Sequence, residues 1–173
     1  MIPGFYWLID GALAGCSRPG VRDPHKRGGR RDEAVDEAAQ REALDRDLAW
    51  LRCQGIDAVL SMTETPLVED VAARHDLDVL HLPVPDLHAP SPDQLAQALA
   101  FIDRQRARSR AVVVHCLVGQ GRTGAVLAAY RIRSGATPDE AIRELRALSP
   151  GAISAAEQEQ ALRAFAANRD WIV

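Results

Sequence analysis

The stretch Ala111-Val112-Val113-Val114-His115-Cys116-Leu117-Val118-Gly119-Gln120-Gly121-Arg122-Thr123-Gly124-Ala125-Val126-Leu127-Ala128-Ala129-Tyr130 decides how this chain is read. Its first four residues are an apolar, mostly β-branched run and predict a buried strand. Its last six predict a helix. Between them a cysteine and an arginine are separated by five residues, two of them glycine, and a hydroxyl residue and a third glycine follow the arginine. The cysteine therefore lies where a strand hands over to a helix, in a loop suited to holding an anion.

Each residue type has a physical reason to be there. A loop that wraps a dianion turns backbone N–H groups inward, and glycine supplies the φ values this needs. The following helix N-terminus adds partial positive charge and free donors. Arg122, in its first turn, can grip two phosphate oxygens through its planar fork. The same fields favour a thiolate at Cys116, so one site binds phosphate and ionises a nucleophile. Leu117, Val118, Gly119, Gln120 and Gly121 form the wall around the anion. Thr123 is expected to donate a hydrogen bond to the sulfur and help it leave. His115 reads as a loop organiser, because a low-pKa thiol needs no neighbouring base.

A departing alkoxide or phenoxide must also be protonated, which a carboxylic acid can do. Asp86 stands in Pro83-Val84-Pro85-Asp86, a Pro-rich turn after the apolar run Val79-Leu80-His81-Leu82. A loop after a strand can swing over bound substrate. Two other acids compete. Glu64 follows the strand-like Ile56-Asp57-Ala58-Val59-Leu60, and Asp93 reads as the N-cap of a helix starting near Pro92.

At these residues the chain resembles the cysteine-dependent protein tyrosine and dual-specificity phosphatases. Their signature is His-Cys, five residues, Arg, then Ser or Thr, and Gly. Asp86, thirty residues before Cys116, matches the family's mobile general-acid loop in distance and motif, which singles it out among the three acids. Trp7 to Gly15 resembles the N-terminal opening segment. Ser149-Pro150-Gly151-Ala152-Ile153, followed by Glu157-Gln158-Glu159, resembles the C-terminal segment of the small atypical dual-specificity phosphatases. There the resemblance implies a polar side chain, Gln158 first, that positions the water of the second step. It covers residues 1–19 and 44–170. It implies a phosphocysteine intermediate, no metal and no cofactor.

Bulk properties fit a compact cytoplasmic enzyme. With 173 residues, 47% of them hydrophobic, one catalytic domain over 1–173 is expected. The net charge of −3 offers no global field for nucleic acid or membrane. No apolar run is long enough to span a bilayer, and the N-terminus lacks the basic region of a signal peptide. Three cysteines, an odd number, point to a reducing compartment. Cys16 and Cys53 read as structural, though either could protect an oxidised Cys116 as a disulfide.

The expected layout is a hairpin-like start over Phe5 to Gly15, a helix over Glu42–Cys53, and a strand near Ile56–Met62. A short helix around Leu67–Arg74 and a strand over Asp78–Val84 come next. Then come a helix from Pro92 to Ala107, the Val112–His115 strand, and helices over Arg122–Ser134, Pro138–Leu148 and Ser154–Asn168. This alternation predicts an α/β fold in three layers, a central and mostly parallel sheet flanked by helices, with anion sites beyond the C-terminal strand ends. The segment Gly20–Ala43 reads as a solvated insertion whose charges run into a helix N-terminus. Alternatively, Arg18, Arg27, Arg30 and Arg31 rim the pocket for an acidic substrate.

None of the five residues between Cys116 and Arg122 is charged. Relatives acting on polyphosphorylated inositols tend to place Lys or Arg there. A single phosphate is expected instead, on tyrosine first and serine or threonine second, in a protein or peptide. The alternatives are a phosphoinositide or small-molecule phosphatase and an inactive phosphate-binding module. Low-molecular-weight phosphatases carry their loop near the N-terminus, and rhodanese-like sulfurtransferases lack the Arg-Thr-Gly helix start.

Overall fold

The computed structural model of the chain describes residues 1–21 and 33–168. The Val-rich run forms β5, Ala111–His115, and all five of its residues are buried. It lies at the centre of a five-stranded sheet of order β1-β2-β5-β3-β4, where β1 is Tyr6–Ile9, β2 Leu13–Cys16, β3 Ile56–Ser61 and β4 Asp78–His81. The pairs β2·β5, β5·β3 and β3·β4 are parallel, and only the β1–β2 hairpin is antiparallel. A central parallel strand is covered on both faces, which is why β5 is continuously apolar rather than alternating.

Helices cover both faces. On one side lie α1, Glu33–Cys53, and α2, Glu69–Ala73. Leu44, Leu48 and Leu51 of α1 pack with Val59 and Val113 of the sheet. On the other side lie α3, Pro92–Arg106, α4, Gly121–Arg133, α5, Pro138–Leu148, and α6, Ala156–Ala167. There Val126 and Leu127 pack with Leu60, Val112 and Val114. Val112 and Val114 thus face one layer and Ala111 and Val113 the other, the period-two alternation of a strand. This is the three-layer α/β fold expected. Among the described residues no helix is long and apolar enough to cross a membrane.

Register positions the site. Cys16 of β2 and Ser61 of β3 both pair with His115 of β5, and His81 of β4 pairs with Ser61. Four parallel strands therefore end level, and the loops after them open at one edge of the sheet.

Three departures from the sequence-based expectation have a physical reason. First, α1 begins at Glu33, not Glu42. The extension is rich in Ala, Glu and Gln, good helix formers. Only its later turns carry the leucine face that made the helix visible in the sequence. Second, β4 stops at His81, because Pro83 and Pro85 have no N–H to donate. Leu82 and Val84 N–H still bond Ser61 and Met62 carbonyls, at 2.9 and 3.3 Å. Third, the N-cap of α3 is Ser91, not Asp93. Ser91 and Gln94 close a reciprocal capping box ahead of Pro92, and Asp93 sits in the first turn. Thr137 and Glu140 do the same for α5.

Candidate active site

The loop between β5 and α4 is shaped by what it touches. Gly119 has φ +82, and a Cβ there would lie 2.4 Å from the Cys16 carbonyl carbon. Only glycine fits, on conformation and on space. Arg18 N–H bonds Leu117 O at 3.1 Å, tying the loop to the chain after β2. On the far side, Gly121 leaves room for Gln158 and Ser154, whose side-chain atoms would lie 2.8 and 2.9 Å from its missing Cβ. Gln120 O accepts from Gly124 and Ile153 N–H, at 2.9 and 3.3 Å. Among the described residues the N–H groups of Leu117 to Arg122 have no backbone acceptor. Together with the α4 N-terminus they form a ring of donors able to hold an anion. Cys116 sits at its base, 3% exposed, as a free thiol.

Arg122 is almost fully buried, 2% exposed, yet every contact of its fork leads to another loop. Nη1 donates to Val84 O at 2.6 Å, Glu64 Oε2 at 3.0 Å and Met62 O at 3.4 Å. Nη2 donates to Asp86 Oδ1 at 3.0 Å. A buried guanidinium needs such compensation. The arginine thus joins the start of α4 to the loops after β3 and β4. Glu64 does more: its Oε1 accepts from Asp86 N–H at 2.8 Å. Partial burial pushes the Glu64 carboxyl up, but its own N–H, Arg122 and the Asp86 N–H outweigh that and hold it below the usual range.

Asp86 and Leu87 share a cavity with Cys116. With Val118, Gln120, Gly121, Arg122, Ser154 and Gln158 they line a cavity of about 170 Å³. Cys116, Arg122 and Asp86, which the sequence singled out separately, meet in this one cavity, with Glu64 behind Arg122. Leu87 and Ser154 were missed. Leu87 follows the acid directly, and Ser154 precedes α6 in the segment already matched, so each had a positional signal.

Other expectations change. Thr123 is completely buried, and its Oγ1 has no hydrogen-bond partner among the described residues, so the expected bond to the Cys116 sulfur is not formed. Its side chain is enclosed by the packing around α4. His115 Nδ1 lies 3.3 Å from the carbonyl oxygen of its neighbour Cys116. A carbonyl only accepts, so Nδ1 carries the hydrogen and Nε2 is bare. Complete burial, with Arg18, Arg122 and His81 nearby, pushes the His115 pKa down to about 3 against the pull of that bond. The ring is therefore neutral. Arg18 does not reach toward substrate. Its fork donates to Thr63 Oγ1 at 2.8 Å and to Thr65 O, Thr65 Oγ1 and Pro66 O, each at 2.9 Å. It braces the loop that carries Glu64. Arg27, Arg30 and Arg31 lie outside the described residues.

Cys16 packs against the α1 side of the sheet and Cys116 against the α4 side. Burial, Cys116 and Asp47 together raise the Cys16 thiol well above its ordinary value, which keeps it protonated and inert. Cys53 is exposed at the end of α1.

The chain is similar to several known proteins. The human dual specificity protein phosphatase 12 is 36% identical over 107 residues, 59% of this chain and 31% of that protein. The Arabidopsis thaliana phosphatidylglycerophosphate phosphatase PTPMT1 is 27% identical over 121 residues, 67% of this chain and 36% of that protein. The chain thus spans about a third of the length of these curated relatives. Among solved structures, Tk-PTP in its active form superposes with a TM-score of 0.76 at 28% identity, covering 97% of this chain and 99% of that one. The family described as Tc-R-P, polymorphic toxin system, DSP-PTPase phosphatase, matches residues 34–136. That span runs from α1 through the Cys116 loop and α4 and takes in more than half of the chain, so the protein belongs to this DSP-PTPase phosphatase family.

Proposed function

We propose that the protein hydrolyses phosphate monoesters in two steps at Cys116, without a metal, and that its substrates carry a single phosphate, on tyrosine first and on serine or threonine second. The observation that carries this reading is the meeting of Cys116, Arg122 and Asp86 in one cavity beneath a ring of backbone donors. In the first step the Cys116 thiolate attacks phosphorus and forms a P–S bond while the ester P–O bond breaks. The departing oxygen takes the proton of the Asp86 carboxyl. In the second step water attacks phosphorus, gives its proton to the Asp86 carboxylate, and the P–S bond breaks to return the thiolate and free phosphate. Arg122 and the loop N–H groups meet the charge on the transferring phosphoryl oxygens. Glu64 holds Arg122 and the Asp86 backbone in place.

The uncharged stretch Leu117–Gly121 supports a single phosphate, and Leu87 and Val118 on the cavity wall suit an aromatic leaving group. A free thiol nucleophile fits a reducing compartment such as the cytoplasm. A lipid phosphate monoester is the second reading, favoured by the likeness to the Arabidopsis enzyme.

The test is an aryl phosphate assay in chelator, beside Cys116→Ser, Arg122→Lys and Asp86→Asn. Cys116→Ser is expected to abolish turnover. Losing the fork in Arg122→Lys lowers kcat about 10²–10³-fold. Asp86→Asn lowers kcat about 10²–10⁴-fold for poor leaving groups and far less for good ones. Full activity of Cys116→Ser would overturn the mechanism. Phosphotyrosyl peptides, phosphoseryl peptides and phosphatidylglycerophosphate vesicles then rank the substrates; preference for the vesicles would replace the protein reading.

A further inference from the structure

The Asp86 loop is held from both sides. On one side Glu64, in the loop after β3, accepts from Asp86 N–H through Oε1 at 2.8 Å, and Gln94 Nε2, in the first turn of α3, donates to Pro83 O at 2.8 Å. Toward α6, Gln158 Nε2 donates to His88 O at 3.1 Å, and Glu157 Oε1 accepts from Ala89 N–H at 3.2 Å. Gln158 is completely buried. Its amide can face only one way, because His88 O must accept while Ala155 N–H must donate, and the latter meets Gln158 Oε1 at 3.2 Å.

Between these anchors the loop is strained. His88 N–H bonds Pro85 O at 3.2 Å, closing a turn with Leu87 at its third position. Leu87 has φ +66, a place where such turns take glycine or asparagine. A leucine there persists only if its surroundings hold it. The residue is 57% exposed and lines the cavity, so burial in a core does not hold it there. The hydrogen bonds to the flanking residues do.

We propose that Gln158 and Glu157 are positioning residues that latch the strained acid loop closed over Cys116. The proposal rests on Asp86 being the general acid. It gives Gln158 a different task from orienting water: both ends of its amide are committed, one to the acid loop and one to the start of α6. Loosening the latch lets the Asp86 carboxyl drift from the leaving oxygen. Cleavage of the ester P–O bond suffers, and hydrolysis of the phosphocysteine does not become limiting.

The experiment compares phenyl phosphate with 2,4-dinitrophenyl phosphate, a poor and a good leaving group, and follows phosphocysteine by rapid quench. Gln158→Met keeps the volume and removes both polar ends. Its kcat/KM should fall about tenfold for phenyl phosphate, the loss of one well-placed hydrogen bond, and less than about twofold for the dinitrophenyl ester. No phosphocysteine should accumulate, and adding Gln158→Met to Asp86→Asn should cost little more, because both act on one step. Accumulated phosphocysteine with no leaving-group dependence would overturn the latch in favour of water positioning. Equal losses on both esters would overturn it in favour of a merely structural glutamine. If Gln158→Met does not fold, Glu157→Ala carries the test: it should show the same leaving-group pattern, and Glu157→Gln, which keeps an acceptor for Ala89 N–H, should recover most of the loss. Indifference of Glu157→Ala would sink the proposal. Failure of the underlying reading looks different, since Asp86→Asn alone would then show no leaving-group dependence.

Discussion

Lowering the pH from 7 to 5 should destabilise this protein by protonating His115 in the unfolded chain but not in the folded one. The ring is completely buried and its pKa is pushed down to about 3, whereas an unfolded histidine titrates near ~6.5. Between those values the unfolded state binds one more proton, so stability rises with pH across the window. It is fully present above about 6.5 and falls by up to ~1.4 kcal/mol for each unit below that, until the folded ring also titrates. From pH 7 to pH 5 the loss comes to about 2 kcal/mol. The Glu64 carboxyl, also depressed, acts only at more acid pH, below an ordinary carboxylate value. Urea unfolding followed by tryptophan fluorescence at pH 7 and pH 5 measures the difference. His115→Asn can still donate to Cys116 O but does not titrate. It should start from a lower stability and lose less than about 0.5 kcal/mol over the same interval. If His115→Asn shows the full drop, the buried neutral ring is not its source and the reasoning fails.

Three further outcomes are expected. Gly119→Ala forces a Cβ against the Cys16 carbonyl at a positive φ and should cost about 2–4 kcal/mol and most activity; a variant as stable as the parent in urea would mean that the loop packs elsewhere. Arg18→Met removes four hydrogen bonds to residues 63–66 and should lower stability by about 2–3 kcal/mol, with kcat/KM falling because Glu64 loses its brace. An unchanged melting temperature and KM would argue against that link. Ser91→Ala breaks the α3 capping box at a cost of about 1 kcal/mol, or roughly 2–4 °C in Tm, to be read by calorimetry.

The sequence was most legible where chemistry and local geometry coincide. Ala111 to Tyr130 carries its own strand, turn and helix signals, so β5, the loop and α4 were all readable, and with them Cys116 and Arg122. Asp86 was picked out by its Pro-rich turn and its thirty-residue distance from Cys116, which resemble the family's general-acid loop, rather than by any signal of its own. What escaped are pairings between segments distant in the chain. Nothing local to Arg122 says that its fork closes on Glu64 and Asp86, and nothing local to Arg18 says that it turns toward Thr63 and Thr65 rather than toward substrate. Both depend on level strand ends, a property of the sheet rather than of any one segment. Thr123 was misread for a related reason: its neighbours in the chain suggested a bond to sulfur, while its orientation is set by the packing around α4. The first half of α1 escaped because its helicity comes from propensity and not from an apolar face.

The carboxylates around Arg122 bear on how a catalytic cycle would end. A buried guanidinium left bare after phosphate departs is costly, and that cost would keep the product in place. Here Glu64 and Asp86 already lie 3.0 Å from the two nitrogens of the fork, ready to replace the departing anion from within the protein. On the proposed reading, phosphate leaves without exposing an uncompensated charge. The enzyme should accordingly be a poor trap for its own product, with inorganic phosphate a weak inhibitor of the parent and a stronger one of Glu64→Gln.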